Sequence, residues 1–377
     1  MDFTFTDEQE QLRNAVARWV EKGFNFERRR ALARAGGHTR AVYGELADLG
    51  LAGLSVAEEH GGLGFGAVEA MVVMEELGRG LVNAPYAQAA LVAPLLLAQA
   101  PAALQAQWLP KVASGEALVV LAQQERGSRY HLNRCSTRAM QVGSSWQLEG
   151  AKVVVPAGDE ADAFVVSARV SGADDAAEGL GLFLVRAGAG GVGIDAYTTQ
   201  DGARAANITL HATAAELITL QGHAPLEAAV DVGIAAACAE GVGLMEKMTQ
   251  ITAEYMNTRK QFGATLASFQ VLRHRMADVK MQLELGRAMS YYATLKLGEP
   301  TAQRRRALSQ AKVQLGQSMR FVGQQCTQLH GGIGVTDEYI SSHYFKRLTM
   351  LEMTFGDTLH HLGEVSVRMQ PTAGVFA

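Results

Sequence analysis

The sequence holds only three cysteines, Cys135, Cys238 and Cys326, scattered over 377 residues without metal-ligand spacing. It therefore offers no cysteine-based metal centre and asks for no oxidising compartment. Cys238 and Cys326 fall in apolar helical patterns, where buried thiols are expected. Charge of one sign is also scarce. A net charge of -4 leaves no electrostatic footprint for nucleic acid or anionic lipid. The basic run Arg304-Arg-Arg306 is short and reads as a solvated helix face. Long apolar runs are missing too, since Ala89 to Ala100 falls well below membrane-spanning length. The amino-terminal Met-Asp-Phe-Thr-Phe-Thr-Asp-Glu is acidic and lacks the basic region of a targeting signal. These absences lead to the expectation of a soluble, cytoplasmic protein with no membrane span and no metal. Neither an internal repeat nor a low-complexity segment is apparent.

What is present is a globular composition, 48 % hydrophobic and 19 % charged, in a chain long enough for two or three domains. Residues 1–116 read as helical. Thr6 with Gln9 fits a capping box, after which Leu12, Val16 and Val20 recur on one face. Gly61-Gly-Leu-Gly64 interrupts that pattern and reads as an interhelical turn or a substrate-facing loop. Over 117–222 the period shortens. Runs at Ala117–Ala122, Trp146–Leu148, Lys152–Val155, Ala163–Val170, Gly181–Val185 and Ala206–His211 lie between Gly, Ser and Asp clusters. That pattern predicts an antiparallel β sandwich or barrel. From Leu226, within a third domain at 223–377, four long helical segments of roughly 25 to 35 residues predict a four-helix bundle. The fold class is α+β.

Two constellations carry the chemistry. The first is Tyr255-Met-Asn-Thr-Arg-Lys-Gln-Phe-Gly263, followed seven residues later by Gln270. Arg259 at the end of a long helix either complements the negative end of the macrodipole or clamps a phosphate with its planar fork. The second is Gln328-Leu-His-Gly-Gly-Ile-Gly334, closing another long helix. One glycine there would be an ordinary cap, whereas three let the backbone approach a ligand and aim N–H groups at an anion. His330 either contacts a ligand or is structural.

Together these motifs resemble the acyl-CoA dehydrogenase flavoprotein family, and the resemblance runs from Phe3 to about His361. It implies the helical, β and helical-bundle domain order, FAD as cofactor and an acyl-CoA substrate. By position it implies that Arg259, Gln270, Gln328, Gly331 and Gly332 hold the FAD diphosphate and adenosine of a neighbouring subunit, with Phe262 as the aromatic of the same turn. Glu58-Glu59-His60-Gly-Gly-Leu-Gly64 resembles a further loop of the family, with Ala57 where proline is usual.

The family abstracts an α proton with a carboxylate while the β hydrogen leaves as hydride to the flavin. The sequence has no carboxylate at either family base position. Counting from Gln328 places Phe355 at the commoner one, and counting back from Arg259 places Gly233 at the other. The flavin seat implied for the middle domain is changed as well. Gln124 stands for a threonine at the flavin edge, Tyr130 for a substrate-contacting serine, and Val154-Val-Pro-Ala-Gly158 for a Trp-Ile-Thr-Asn-Gly run. Pro156 there also removes a backbone donor.

The implied arrangement is a heteromeric enzyme in which this chain completes the FAD site of an unlike acyl-CoA dehydrogenase subunit that supplies the base. Phe345-Lys-Arg-Leu-Thr with Phe-Gly-Asp and His360-His-Leu resembles bacterial members acting on steroid side chains or other bulky acyl-CoAs. An electron-transfer flavoprotein is the expected acceptor. Two carboxylates offer an alternative within this chain. Asp357 is either the base of a homo-oligomeric dehydrogenase or oxidase, or the N-cap of the last helix. Glu240, two turns beyond Gly233 on the same face, is either a base or one half of an ion pair. A non-catalytic assembly subunit is the reading of another class.

Overall fold

A computed structural model describes residues 4–369. In chain order the first helices are α1 (Asp7–Gly23), α2 (Phe26–Arg34), α3 (Arg40–Asp48), α4 (Ala67–Arg79), α5 (Ala93–Leu97) and α6 (Ala102–Ala113). Seven strands follow: β1 (Val119–Ala122), β2 (Arg138–Val142), β3 (Ser145–Pro156), β4 (Ala163–Arg169), β5 (Leu180–Arg186), β6 (Val192–Thr198) and β7 (Arg204–Thr219). The remainder is α7 (His223–Thr258), a hairpin of β8 (Lys260–Gln261) and β9 (Ala264–Thr265), then α8 (Gln270–Leu295), α9 (Thr301–His330), α10 (Ile340–Met353) and α11 (Thr358–Met369). The chain forms two compact units that do not follow sequence order. One unites the chain up to Arg30 with Ala67–Val82 and everything from Ile234 on; the other comprises Ala31–Gly66 and Asn83–Gly233.

The second unit is built round the sheet. Neighbouring strands run β4–β2–β3–β7–β5, and β5 returns to β4, so the sheet closes on itself. Closure leaves β1 and β6, each with a single partner strand, as the edges of the sheet. Most pairs are antiparallel, as the pattern predicted, but β1 and β2 both lie parallel to β4. Trp146–Leu148 and Lys152–Val155 are not separate strands. They belong to the single strand β3, which is bulged between Leu148 and Gly150 and again between Lys152 and Val155. Inside the unit Lys152 is buried against Glu125, with Nζ 2.7 Å from Oε1. Ser136 and Thr137 supply further donors to the same carboxylate, which is held well below the usual range despite its burial, chiefly by Lys152.

The first unit is the helical bundle. Thr6 and Gln9 form the reciprocal cap of α1. Helix α4 crosses α7 at backbone contact: a Cβ on Gly78 would overlap the Glu240 carbonyl, and one on Gly243 would overlap the Glu75 carbonyl. Only glycine permits that approach. Of the four long helices expected here, three are found, of 36, 26 and 30 residues. The fourth is divided into α10 and α11, because Phe355 (φ +58°) and Gly356 (φ +120°) turn the chain between them. Helix α7 is long and apolar enough to cross a membrane by composition, but 89 % of its apolar window is buried in the protein, as a core helix would be.

At the α1–α4–α8 junction Glu75 is 2 % exposed, and its Oε1 has no hydrogen-bond partner among the described residues. The guanidinium groups of Arg13 and Arg287 stop 3.8 and 4.0 Å from its other oxygen. Burial pushes the Glu75 carboxyl up to about 7, against the pull of Arg287 and Arg13. The folded state therefore favours the protonated acid. Its contribution is fully present below the unfolded pKa near 4.5 and is lost as pH rises through about 7. Glu75→Gln is expected to leave stability little changed at pH 4 and to raise it by up to about 3 kcal/mol at pH 8. Denaturant melts at the two pH values check this, and an equal effect at both would refute it.

Candidate functional site

Helix α7 ends where Thr258 turns its hydroxyl back to the Glu254 carbonyl, 3.1 Å away. The Arg259 N–H still donates to Tyr255 O, and the Arg259 carbonyl accepts from Leu266 N–H, which ties the β8–β9 hairpin to the helix end. The two residues at the hairpin tip, Phe262 and Gly263, both have positive φ, +53° and +79°. That backbone suits Asn-Gly; an aromatic in the first place is strained. Phe262 is nevertheless 92 % exposed, and among the described residues its ring neighbour is Phe269, edge-on. The Arg259 guanidinium makes no ion pair among the described residues.

The second motif lies beside the first. His330, the last residue of α9, packs its ring 4.6 Å from Tyr255, one turn before Arg259, and 5.1 Å from Tyr339. Its Nδ1–H donates to Cys326 O at 2.8 Å, and burial lowers its pKa, so the imidazole is neutral. Arg275 on the first turns of α8 reaches Gln325 on the last turns of α9, which places Gln270 and Gln328 at this same end of the bundle. Gly331 takes φ +66°, and a Cβ on Gly331 or Gly332 would meet open space. By contrast, Gly334 is packed against the Thr327 carbonyl. The two outer glycines thus leave bare backbone facing outward. Arg259, Phe262, Gln270, Gln328, Gly331 and Gly332 are all exposed.

The loop between α10 and α11 is fastened from several sides. Buried Lys312 donates to the carbonyls of Leu351 (2.7 Å) and Glu352 (2.9 Å), and burial brings its pKa down to about 8. Glu352 Oε1 accepts from Thr358 N–H at 3.0 Å and from its hydroxyl at 2.6 Å. His361 Nε2–H donates to Phe355 O at 3.1 Å, leaving Nδ1 to accept from Ser309. Burial first, then Lys312, lowers the His361 pKa to about 3 and keeps it neutral. Phe355 itself sits half-buried in this frame. Asp357 Oδ1 accepts from His360 N–H at 2.8 Å, the N3 contact of an N-cap on α11. Glu240, 5 % exposed, meets Arg347 as a fork, with Nε to Oε1 at 2.6 Å and the second amine to Oε2 at 2.9 Å. Arg347 belongs to the Phe345-Lys-Arg run noticed in the sequence, but 107 residues separate the pair. Only the cost of a buried lone carboxylate hinted that a cation would be found. Gly233 offers no side chain.

In the sheet unit, Gln124 O accepts from Val153 N–H at 2.8 Å. Val154 next to it holds φ +53° at the bulge, an outlier for a β-branched residue, and is 43 % exposed. Such strain is typically kept where a backbone path serves a site.

An outward arginine fork, two amides and a bare glycine corner form a face suited to the diphosphate and sugar of a dinucleotide, the equipment of a cofactor-dependent oxidoreductase. Family sequence models identify which one. Those for the acyl-CoA dehydrogenase N-terminal, middle and C-terminal domains match residues 6–116, 120–213 and 221–369. The chain belongs to the acyl-CoA dehydrogenase family, and is accordingly an enzyme that uses FAD to dehydrogenate acyl-CoA thioesters.

Acyl-CoA dehydrogenase FadE27 of Mycobacterium tuberculosis is 26 % identical over 99 % of this chain and 100 % of its own length. The mitochondrial long-chain specific enzyme of Sus scrofa is 28 % identical over 81 % of this chain and 74 % of its own. Among solved structures, a variant of the Tcur3481–Tcur3483 steroid acyl-CoA dehydrogenase superposes with a TM-score of 0.88 at 29 % identity, covering 98 % of this chain and 99 % of that one. The ChsE4–ChsE5 complex of Mycobacterium tuberculosis gives 0.89 at 25 %, with the same coverage.

Proposed function

We propose that this chain is one subunit of a heteromeric acyl-CoA dehydrogenase, completing the dinucleotide end of an FAD site whose ring is seated by an unlike subunit. One contrast carries the reading. Arg259, Phe262 and the Gly331–Gly332 corner are presented outward, unpaired or strained within the chain, whereas Phe355 and Gly233 occupy the positions where a base would stand. FAD, when bound, would supply the acceptor for the hydride leaving the β carbon. Arg259 would hold the diphosphate, Gln270 and Gln328 the adenosine side, and the outer glycines would offer N–H groups to the anion. Phe262, at the tip of the same hairpin, would be the aromatic of that turn. The α proton goes to a carboxylate of the unlike subunit, and the product is the trans-2-enoyl-CoA.

Changes at Gln124, Tyr130, Val154 and Pro156 support the placing of the ring in the other chain. Similarity to a steroid acyl-CoA dehydrogenase supports a bulky acyl group, and an electron-transfer flavoprotein is the proposed acceptor. The three cysteines are free and buried, in keeping with work in the cytoplasm.

The test is Asp357→Asn in the native assembly. Asparagine caps a helix about as well as aspartate, so the fold is kept while the carboxylate two residues past Phe355 is removed. Turnover close to wild type is expected. A fall of roughly a hundredfold or more, the size of a general-base contribution, would instead make Asp357 the base of a homo-oligomer. Absence of flavin from both the isolated chain and its assembly would leave a non-catalytic subunit.

A further inference from the structure

A triangle of rings joins the two motifs. His330 closes α9, Tyr255 lies in the last turn of α7, and Tyr339 stands just before α10. Their centroids are 4.6 Å (His330–Tyr255), 5.1 Å (His330–Tyr339) and 6.2 Å (Tyr255–Tyr339) apart. His330 is buried and both tyrosines are half-buried. The imidazole is fixed along its own helix by the Nδ1–H bond to Cys326 O, while Nε2 has no hydrogen-bond partner among the described residues. Buried polar atoms are normally paired, so the ring stands here for its shape and stacking rather than for that nitrogen. The outward residues cannot place themselves. Gly331 and Gly332 have no side chain to pack, and their position follows from His330 before them and Gly334 after them. A Cβ on Gly334 would overlap both the Thr327 carbonyl and His330 Cβ. Arg259 is exposed too, and its N–H donates to Tyr255 O, 2.8 Å away. The Tyr255 backbone thus anchors the start of the hairpin, and its ring sets the distance to α9.

We propose that His330 is a positioning residue for the dinucleotide face, its ring spacing the Arg259 end of α7 from the Gly331–Gly332 corner of α9. It touches no cofactor. It acts through Arg259 on one side and through the corner on the other. A guanidinium and backbone N–H groups that must meet one diphosphate tolerate little change in their separation, because hydrogen bonds weaken steeply once their geometry is poor. Tyr339 forms the third side of the triangle and ties the same ring to the segment that leaves the corner. This role rests on the reading of the face as an FAD site.

The test measures FAD affinity of the native assembly from flavin released on dilution. His330→Leu removes the ring, and affinity is expected to fall about tenfold, the size of a lost aromatic stack. His330→Phe keeps a ring and gives up only the Nδ1–H bond and a nitrogen that had no partner, so affinity should return to near wild type. Undiminished affinity in the leucine variant overturns the proposal, and so does an equal loss in both variants. In an Arg259→Ala background His330→Leu should cost markedly less, because part of its effect passes through the arginine; full additivity overturns the role. Should Arg259→Ala itself leave FAD binding unchanged, the cofactor reading of the face fails and this role with it. Should it weaken binding while His330→Leu does not, His330 alone loses its part. If the leucine variant does not assemble, Tyr339→Leu, on the half-buried side of the triangle, is expected to weaken FAD about threefold, and no change there overturns the proposal. A reading without cofactor comes from amide hydrogen exchange in the flavin-free chain. Gly331 and Gly332 should exchange faster in the leucine than in the phenylalanine variant, and equal rates would count against the ring.

Discussion

Glu240→Ala is expected to destabilise the flavin-free chain by about 3–5 kcal/mol, the cost of leaving one member of a buried charge pair without its counterpart. The carboxylate meets Arg347 through two hydrogen bonds with both residues largely out of water. Removing it takes both of those hydrogen bonds from the largely buried guanidinium. Denaturant unfolding measures the loss, and turnover per folded assembly should remain near wild type. Arg347→Ala should cost a similar amount, and the double variant much less than the sum, since two residues in contact are coupled. If Glu240→Ala left stability alone and abolished turnover, the carboxylate would be working on substrate.

Arg259→Ala should have the opposite profile. The residue is exposed and bonds to no carboxylate among the described residues, so the melting temperature of the isolated chain should hardly move. Affinity of the assembly for FAD should fall by about 1–3 kcal/mol, the cost of a charged hydrogen bond. That is roughly a five- to 150-fold weaker binding, read by flavin released on dilution. Arg259→Lys keeps the charge and loses the planar fork, and an intermediate loss is expected. Undiminished FAD binding in the alanine variant would reduce this arginine to a partner of the helix dipole.

The motifs around Arg259 and Gly331 stand out in the sequence because their signals are local. A cation at a helix end, a glycine after it and three glycines in four residues each restrict backbone or chemistry without knowledge of the fold. The domain order was legible from the change of period at each end of the sheet. The strands β2 and β6 were not, because β2 is mostly exposed and β6 alternates little, with Gly193 and Asp195 inside it. The division between α10 and α11 was hidden by its agent. Phenylalanine carries no turn propensity, and only the surrounding clamps from Lys312, Glu352 and His361 hold Phe355 at φ +58°.

The glycine crossing of α4 over α7 bears on how this chain can be taken apart. Because the two backbones touch, the stretch Ala67–Val82 is a wedge seated in the carboxy-terminal helices rather than a portion of a detachable leading module. Chimaeras spliced with relatives at the end of the leading helical segment would exchange that wedge along with the rest and set foreign side chains into a space with no room for a methyl group. Recombination that respects this molecule has to transplant Ala67–Val82 together with α7, however far apart they stand in the gene.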